Sequence, residues 1–161
     1  IREGPFMLQS LAKPIALATL VAGALDIVFA AGLTLYYGRP VAGMLRFVAS
    51  GPVPSATEWG AAGAALGLAV HFALMAAMAA AYMLAAARLP SLADRPLIWG
   101  VAYGLLTYAV MNLIVVPLRF PAAFPPSPVS VGTQLFAHVA LVGLPIALIA
   151  ARHFGGRVHP A

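Results

Sequence analysis

Four long apolar stretches fill most of the chain, and each is long enough to cross a bilayer, which takes about 20 apolar residues. In hydrocarbon every backbone N–H and C=O must find its partner inside the protein, so such stretches are read as helices. A soluble domain carries about a quarter charged residues. This chain of 161 residues has 8% charged and 63% hydrophobic residues, too little polar surface to cover a water-soluble core. The expected fold is all-α: a transmembrane four-helix bundle built from two antiparallel helical hairpins. Residues 1–161 form one integral membrane domain, with spans at about 14–37, 56–87, 96–117 and 131–151.

Local signals set the span ends. Pro14 suits a first helical turn, where a missing N–H costs little. Ser55-Ala56-Thr57-Glu58 has the spacing of a capping box, with Ser55 as cap and Glu58 reaching back. The second span then runs beyond one bilayer crossing, so it must tilt or protrude. Pro145 inside the fourth span predicts a kink at the freed carbonyl of Leu141. Val41–Val48, in the longest loop, predicts a turn or two of helix lying at the outer interface. The prolines at 121, 125, 126 and 128 exclude a regular helix from the segment Arg119–Ser130.

The net charge of +5 comes from basic residues placed singly at the ends of apolar runs, which fits membrane orientation and not nucleic acid. Four spans put both termini on one side. That side carries Arg2, Lys13, Arg88, Arg95, Arg152 and Arg157, against Arg39, Arg46 and Arg119 on the other. Six against three predicts cytoplasmic N- and C-termini in a bacterial inner membrane. No cleavable signal peptide is expected, because the first apolar run is a full span. Cysteine is absent, which excludes disulfides, thiolate metal sites and cysteine nucleophiles.

Candidate functional residues are the few polar groups inside the spans: Asp26, His71, Asn112 and His138. An ionisable side chain at mid-depth costs on the order of 2.5 kcal/mol or more, so it faces other helices or a cavity. Asp26 shares a small, polar stripe with Thr19, Ala22, Gly23 and Ala30 at helical spacing. His71 shares a face with Gly67, Met75, Met78 and Tyr82; Asn112 follows Tyr108, and His138 follows Gln134, each by four residues. Tyr82, Tyr108 and Gln134 are possible supporting residues. Gly63 with Gly67, and Gly100 with Gly104, form GxxxG pairs suited to close helix packing.

Several roles fit this pattern. Asp26 pairing with one histidine, and Asn112 and His138 satisfying each other or the backbone freed at Pro145, would serve packing alone. Asp26 and the two imidazoles would also make a proton relay near neutral pH. His71 and His138 would serve as axial ligands of a haem, although their depths differ and no C-x-x-C-H attachment motif is present. Asp26, His71 and His138 would make a three-ligand metal site, but no two of them are local neighbours. His153 and His159 read as solvated residues of the basic C-terminal segment. No nucleophile motif, carboxylate pair or phosphate loop supports an enzyme.

The ordered set Ala22–Ile27, Arg46–Gly51, Gly67–Phe72, Tyr103-Gly104, Met111-Asn112, Val116–Leu118, His138 and Val142–Leu148 resembles a group of uncharacterised four-span bacterial inner-membrane proteins. More loosely it resembles the YagU-type membrane proteins. The resemblance implies the same fold and location and brings no reaction, substrate or ligand. The role expected first is therefore a non-enzymatic accessory or structural subunit, packed against other membrane proteins or a second copy of itself. A small proton- or ion-coupled transporter and a haem- or metal-binding electron-transfer module are the alternatives.

Overall fold

The computed structural model describes residues 5–155, with side chains from Leu11 onward; Arg2, Arg157 and His159 lie outside the described residues. Four helices are long and apolar enough to cross a membrane, and the described residues contain no strand. They are α1 (Pro5–Tyr36), α3 (Gly60–Arg88), α5 (Pro96–Arg119) and α6 (Pro128–Gly155). Two short helices join them: α2 (Val41–Ala49) after α1, and the single turn α4 (Ser91–Asp94) after α3. The chain is a multi-pass α-helical membrane protein.

Helix α1 packs on α3 and on α6, and α6 also packs along α5. The dense core lies toward the end where α1 begins and α6 finishes. There Ala18 and Ala22 of α1 meet Met75, Ala79, Tyr82, Met83 and Ala86 of α3 and Val142, Ile146, Ala147 and Ala150 of α6. Small residues on facing stripes let the backbones approach, which gives packing where lipid offers no hydrophobic drive for helix association. The opposite half is more open: no residue of 24–36, 109–123 or 128–136 is fully buried.

Several boundaries differ from the sequence expectation. Pro14 lies inside α1, because the residues before it, Pro5 to Lys13, are already helical. Ser55 does not cap α3. Residues Pro54–Glu58 form a separate 3₁₀ turn, and Gly60 at φ +56° breaks the path before α3 starts. Ser55 lies inside that 3₁₀ turn, whose N-cap is Val53, so it is not at a cap position from which to exchange bonds with Glu58. In the proline-rich segment Pro121–Ala123 makes a 3₁₀ turn, and Ser127 caps α6 by accepting from the Ser130 N–H at 3.2 Å. Pro128 then occupies the first turn, so the fourth span starts earlier than expected.

Pro145 affects the backbone as a widened π segment, Ala137–Gly143, immediately ahead of it. A second π segment, Ala109–Val115, lies just ahead of Pro117 in α5. A proline ring collides with the carbonyl four residues back, and a wider turn relieves that collision. His138 and Asn112 sit in these two segments.

The glycine pairs have separate partners. A Cβ on Gly63 would lie 2.1 Å from the Ala56 carbonyl oxygen, and one on Gly67 would lie 1.8 Å from that of Leu45. This pair seats α2 and the turn after it against α3. A Cβ on Gly104 would meet the His138 carbonyl oxygen at 2.6 Å, one on Gly100 the Leu144 Cα at 3.0 Å, and one on Gly143 the Gly100 carbonyl at 2.3 Å. Gly100, Gly104 and Gly143 therefore bring α5 and α6 to near backbone contact.

Arg119, at the loop end of α5, fastens the turn after α2. Its guanidinium donates to the carbonyls of Gly51 and Ser50, and Phe120 stacks on Phe47 with centroids 4.3 Å apart. Arg119→Gln should cost about 1 kcal/mol, the net worth of such bonds at an exposed site. Hydrogen exchange should quicken at the Ser50, Gly51 and Val53 amides while the core of α3 is unchanged. Unaltered exchange at 50–53 would show that the clamp is idle.

Candidate functional site: a carboxylate–imidazole pair inside the bundle

Asp26 and Gly23 lie three residues apart on α1, one turn of the same face, and that face meets His71 of α3. Gly23 permits the approach. A Cβ there would fall 2.6 Å from the Phe72 ring, so a larger residue would displace that ring from beside the imidazole. With the helices this close, the Gly23 carbonyl lies 2.9 Å from His71 Nε2, and Asp26 Oδ2 lies 3.8 Å from His71 Nδ1. His71 is buried at 7% exposure, while the Asp26 side chain keeps 20%. The Phe72 ring meets the imidazole edge-on at 5.2 Å.

These contacts constrain the protons. A carbonyl oxygen only accepts, so Nε2 must carry the hydrogen it shares with Gly23. In a neutral ring Nδ1 is then an acceptor, and it faces a carboxylate, which when ionised also only accepts. Two acceptors facing one another in a low-dielectric interior repel. The geometry is favourable in two states: an imidazolium beside a carboxylate, or a neutral imidazole beside a carboxylic acid. In both the pair carries one proton, although at 3.8 Å Nδ1 and Oδ2 are farther apart than a hydrogen bond. The pair can thus hold a proton on either partner, and transfer between them needs Nδ1 and Oδ2 to close from 3.8 Å to hydrogen-bond distance.

His138 lies on α6, which also packs on α1, and both imidazoles act electrostatically on the carboxylate. Its Nδ1 donates to the Gln134 carbonyl at 2.9 Å, which leaves Nε2 as the acceptor nitrogen when the ring is neutral. Tyr108 of α5 presents its ring edge-on to His138 at 5.9 Å. Phe29 and Phe136 meet at 5.2 Å one turn nearer the loop end, between the cluster and the more open half of the bundle.

Other candidates sit apart. Asn112 donates to the Tyr108 carbonyl on its own helix at 3.4 Å, so it reaches the cluster only through Tyr108. Asn112 and His138 do not bond each other, because each is within reach of a carbonyl one turn back. The Tyr82 hydroxyl donates to the Leu92 carbonyl at 3.0 Å, and Tyr103 donates to the Met78 carbonyl at 2.8 Å. These tyrosines pack at 5.0 Å and tie α3 to the start of α5, about three turns from His71. Gln134 contributes its backbone carbonyl.

Both nitrogens of His71 face protein groups, which is not the arrangement of an axial haem ligand. Among the described residues no three His, Asp or Glu side chains gather closely enough to hold a metal ion. Sequence reading missed the Gly23 carbonyl, Phe29 with Phe136, and Arg119. Only Gly23 carried a signal, as a small residue one turn before Asp26.

The chain matches no protein-family model, no curated protein and no solved structure.

Proposed function

We propose that this integral membrane protein takes up and releases a proton within the bilayer at the Asp26–His71 pair, as a small proton-coupled transporter. The observation that carries the reading is the double placement of His71, with Nε2 bonded to the Gly23 carbonyl and Nδ1 3.8 Å from Asp26 Oδ2, where one proton on the pair removes the repulsion between two acceptors. Packing alone does not call for an ionisable pair, since interhelical bonds between neutral groups fix register as well. His138, whose charge acts on the Asp26 carboxylate, is the group that would exchange that proton. The chain resides in the bacterial inner membrane with both termini cytoplasmic, on the six-to-three distribution of basic residues.

The test is proton movement into liposomes that hold the purified protein and a pH-sensitive dye. Wild-type protein should acidify the lumen under an inward proton gradient, and Asp26→Asn should reduce the rate at least tenfold. Equal rates would overturn the reading.

A second role, accessory subunit to other membrane chains, is favoured by α5. Only 11% of its most apolar window is buried, the lowest of the four spans, so it offers the widest uncovered face. A companion chain co-purifying at fixed stoichiometry and released by bulky substitutions on that face would support it.

A further inference from the structure

A groove of about 300 Å³ opens between the start of α1 and the end of α6, lined by Lys13, Pro14, Leu17, Ile149, Arg152 and His153. Its composition is divided. Lys13 and Arg152 are exposed basic residues, and no carboxylate pairs with either among the described residues. Pro14, Leu17 and Ile149 make an apolar wall running from those cations toward the bilayer interior. Since Lys13 begins an apolar span and Arg152 finishes one, the cations lie at headgroup level and the wall at the level of acyl chains.

We infer that this groove is a binding site for an anionic phospholipid, with the phosphate between Lys13 and Arg152 and the first part of an acyl chain along Leu17 and Ile149. Charge selects the headgroup: two unpaired cations flanking one opening attract an anionic lipid over a zwitterionic one. The apolar wall selects a lipid over a free phosphate, because a soluble anion would leave the exposed Leu17 side chain uncovered. Arg152 supplies a planar fork for phosphate oxygens and Lys13 a point charge on a flexible stem. The site joins the two helices that carry Asp26 and His138, so an occupant would brace α1 against α6 at the densely packed end.

The experiment is native mass spectrometry of the full chain, delipidated in mild detergent and titrated with phosphatidylglycerol or phosphatidylcholine. Wild-type protein should retain phosphatidylglycerol about tenfold better than phosphatidylcholine, the scale expected from two basic residues near the surface. Lys13→Gln combined with Arg152→Gln should abolish the preference and leave thermal unfolding without lipid unchanged; Lys13→Arg should keep it. Glycerol phosphate, which has the headgroup anion without chains, should displace little bound lipid. Equal retention of the two lipids, a preference surviving in the double variant, or full displacement by glycerol phosphate would each overturn the assignment.

Discussion

Gly67→Leu is expected to unseat α2 and to lower stability by about 3 kcal/mol, the upper part of the usual range for overpacking. Added atoms at most positions meet side chains that rotate away. Here even the Cβ would lie 1.8 Å from the Leu45 carbonyl oxygen and 2.6 Å from its carbon, and backbone cannot turn aside. Helix α2 must lift off α3 as a unit, carrying the Ser50-Gly51 turn away from Arg119. Thermal unfolding in detergent reads the stability. The displacement is readable with a single cysteine at Leu45, because the chain has none of its own: labelling should quicken. Gly32→Leu is the control, since nothing lies within 4 Å of a Cβ there. If the two leucine variants behave alike, α2 is not seated by Gly67.

Asp26→Asn should leave the fold intact and remove the proton function. The amide is nearly the same size as the carboxylate, is neutral, and can donate from its nitrogen to His71 Nδ1 while Nε2 keeps the Gly23 carbonyl. Its effect on unfolding should be under about 1 kcal/mol, because it trades a charge-bearing bond for a neutral one and removes a desolvation cost. His71→Ala is the contrasting variant. It leaves Asp26 inside the bundle without its nearest partner, which costs about 2 kcal/mol, less than for a fully buried pair because the carboxylate keeps one-fifth of its exposure. Both variants should lose proton flux. A stable Asp26→Asn protein with wild-type flux would place the proton path elsewhere.

The four spans were legible because apolar length is a local property, and the bilayer sets the same length for every helix. Depth was legible in the same way: counting from span ends sets Asp26 and His71 at similar levels, and they lie 3.8 Å apart. What escaped the sequence depends on contacts between distant segments. Gly63 and Gly67 read as a seam between spans, yet they receive a loop helix, and nothing in a GxxxG spacing says which backbone arrives. The capping box failed because Pro54 starts a separate 3₁₀ turn that takes in Ser55 and Glu58, and Gly60 then turns the chain into α3, neither of which the Ser55-to-Glu58 spacing reveals. At Pro145 the sequence signals a disturbed helix but not its form, which is a π segment over Ala137–Gly143 where α5 and α6 come to near backbone contact. The acceptor for His71 is a backbone carbonyl, which every residue carries, so the small Gly23 in the Asp26 stripe signalled a close approach but not that its carbonyl would meet His71.

The measurement that bears most directly on the proton-holding pair is nitrogen NMR of the protein labelled with ¹⁵N-histidine, reconstituted in lipid, for wild type and Asp26→Asn. His71 Nε2 should resonate as a protonated nitrogen across the pH range. Nδ1 should report a proton shared with Asp26, and that signature should vanish in Asp26→Asn. An unprotonated Nε2, or an Nδ1 signal indifferent to the substitution, would contradict the account.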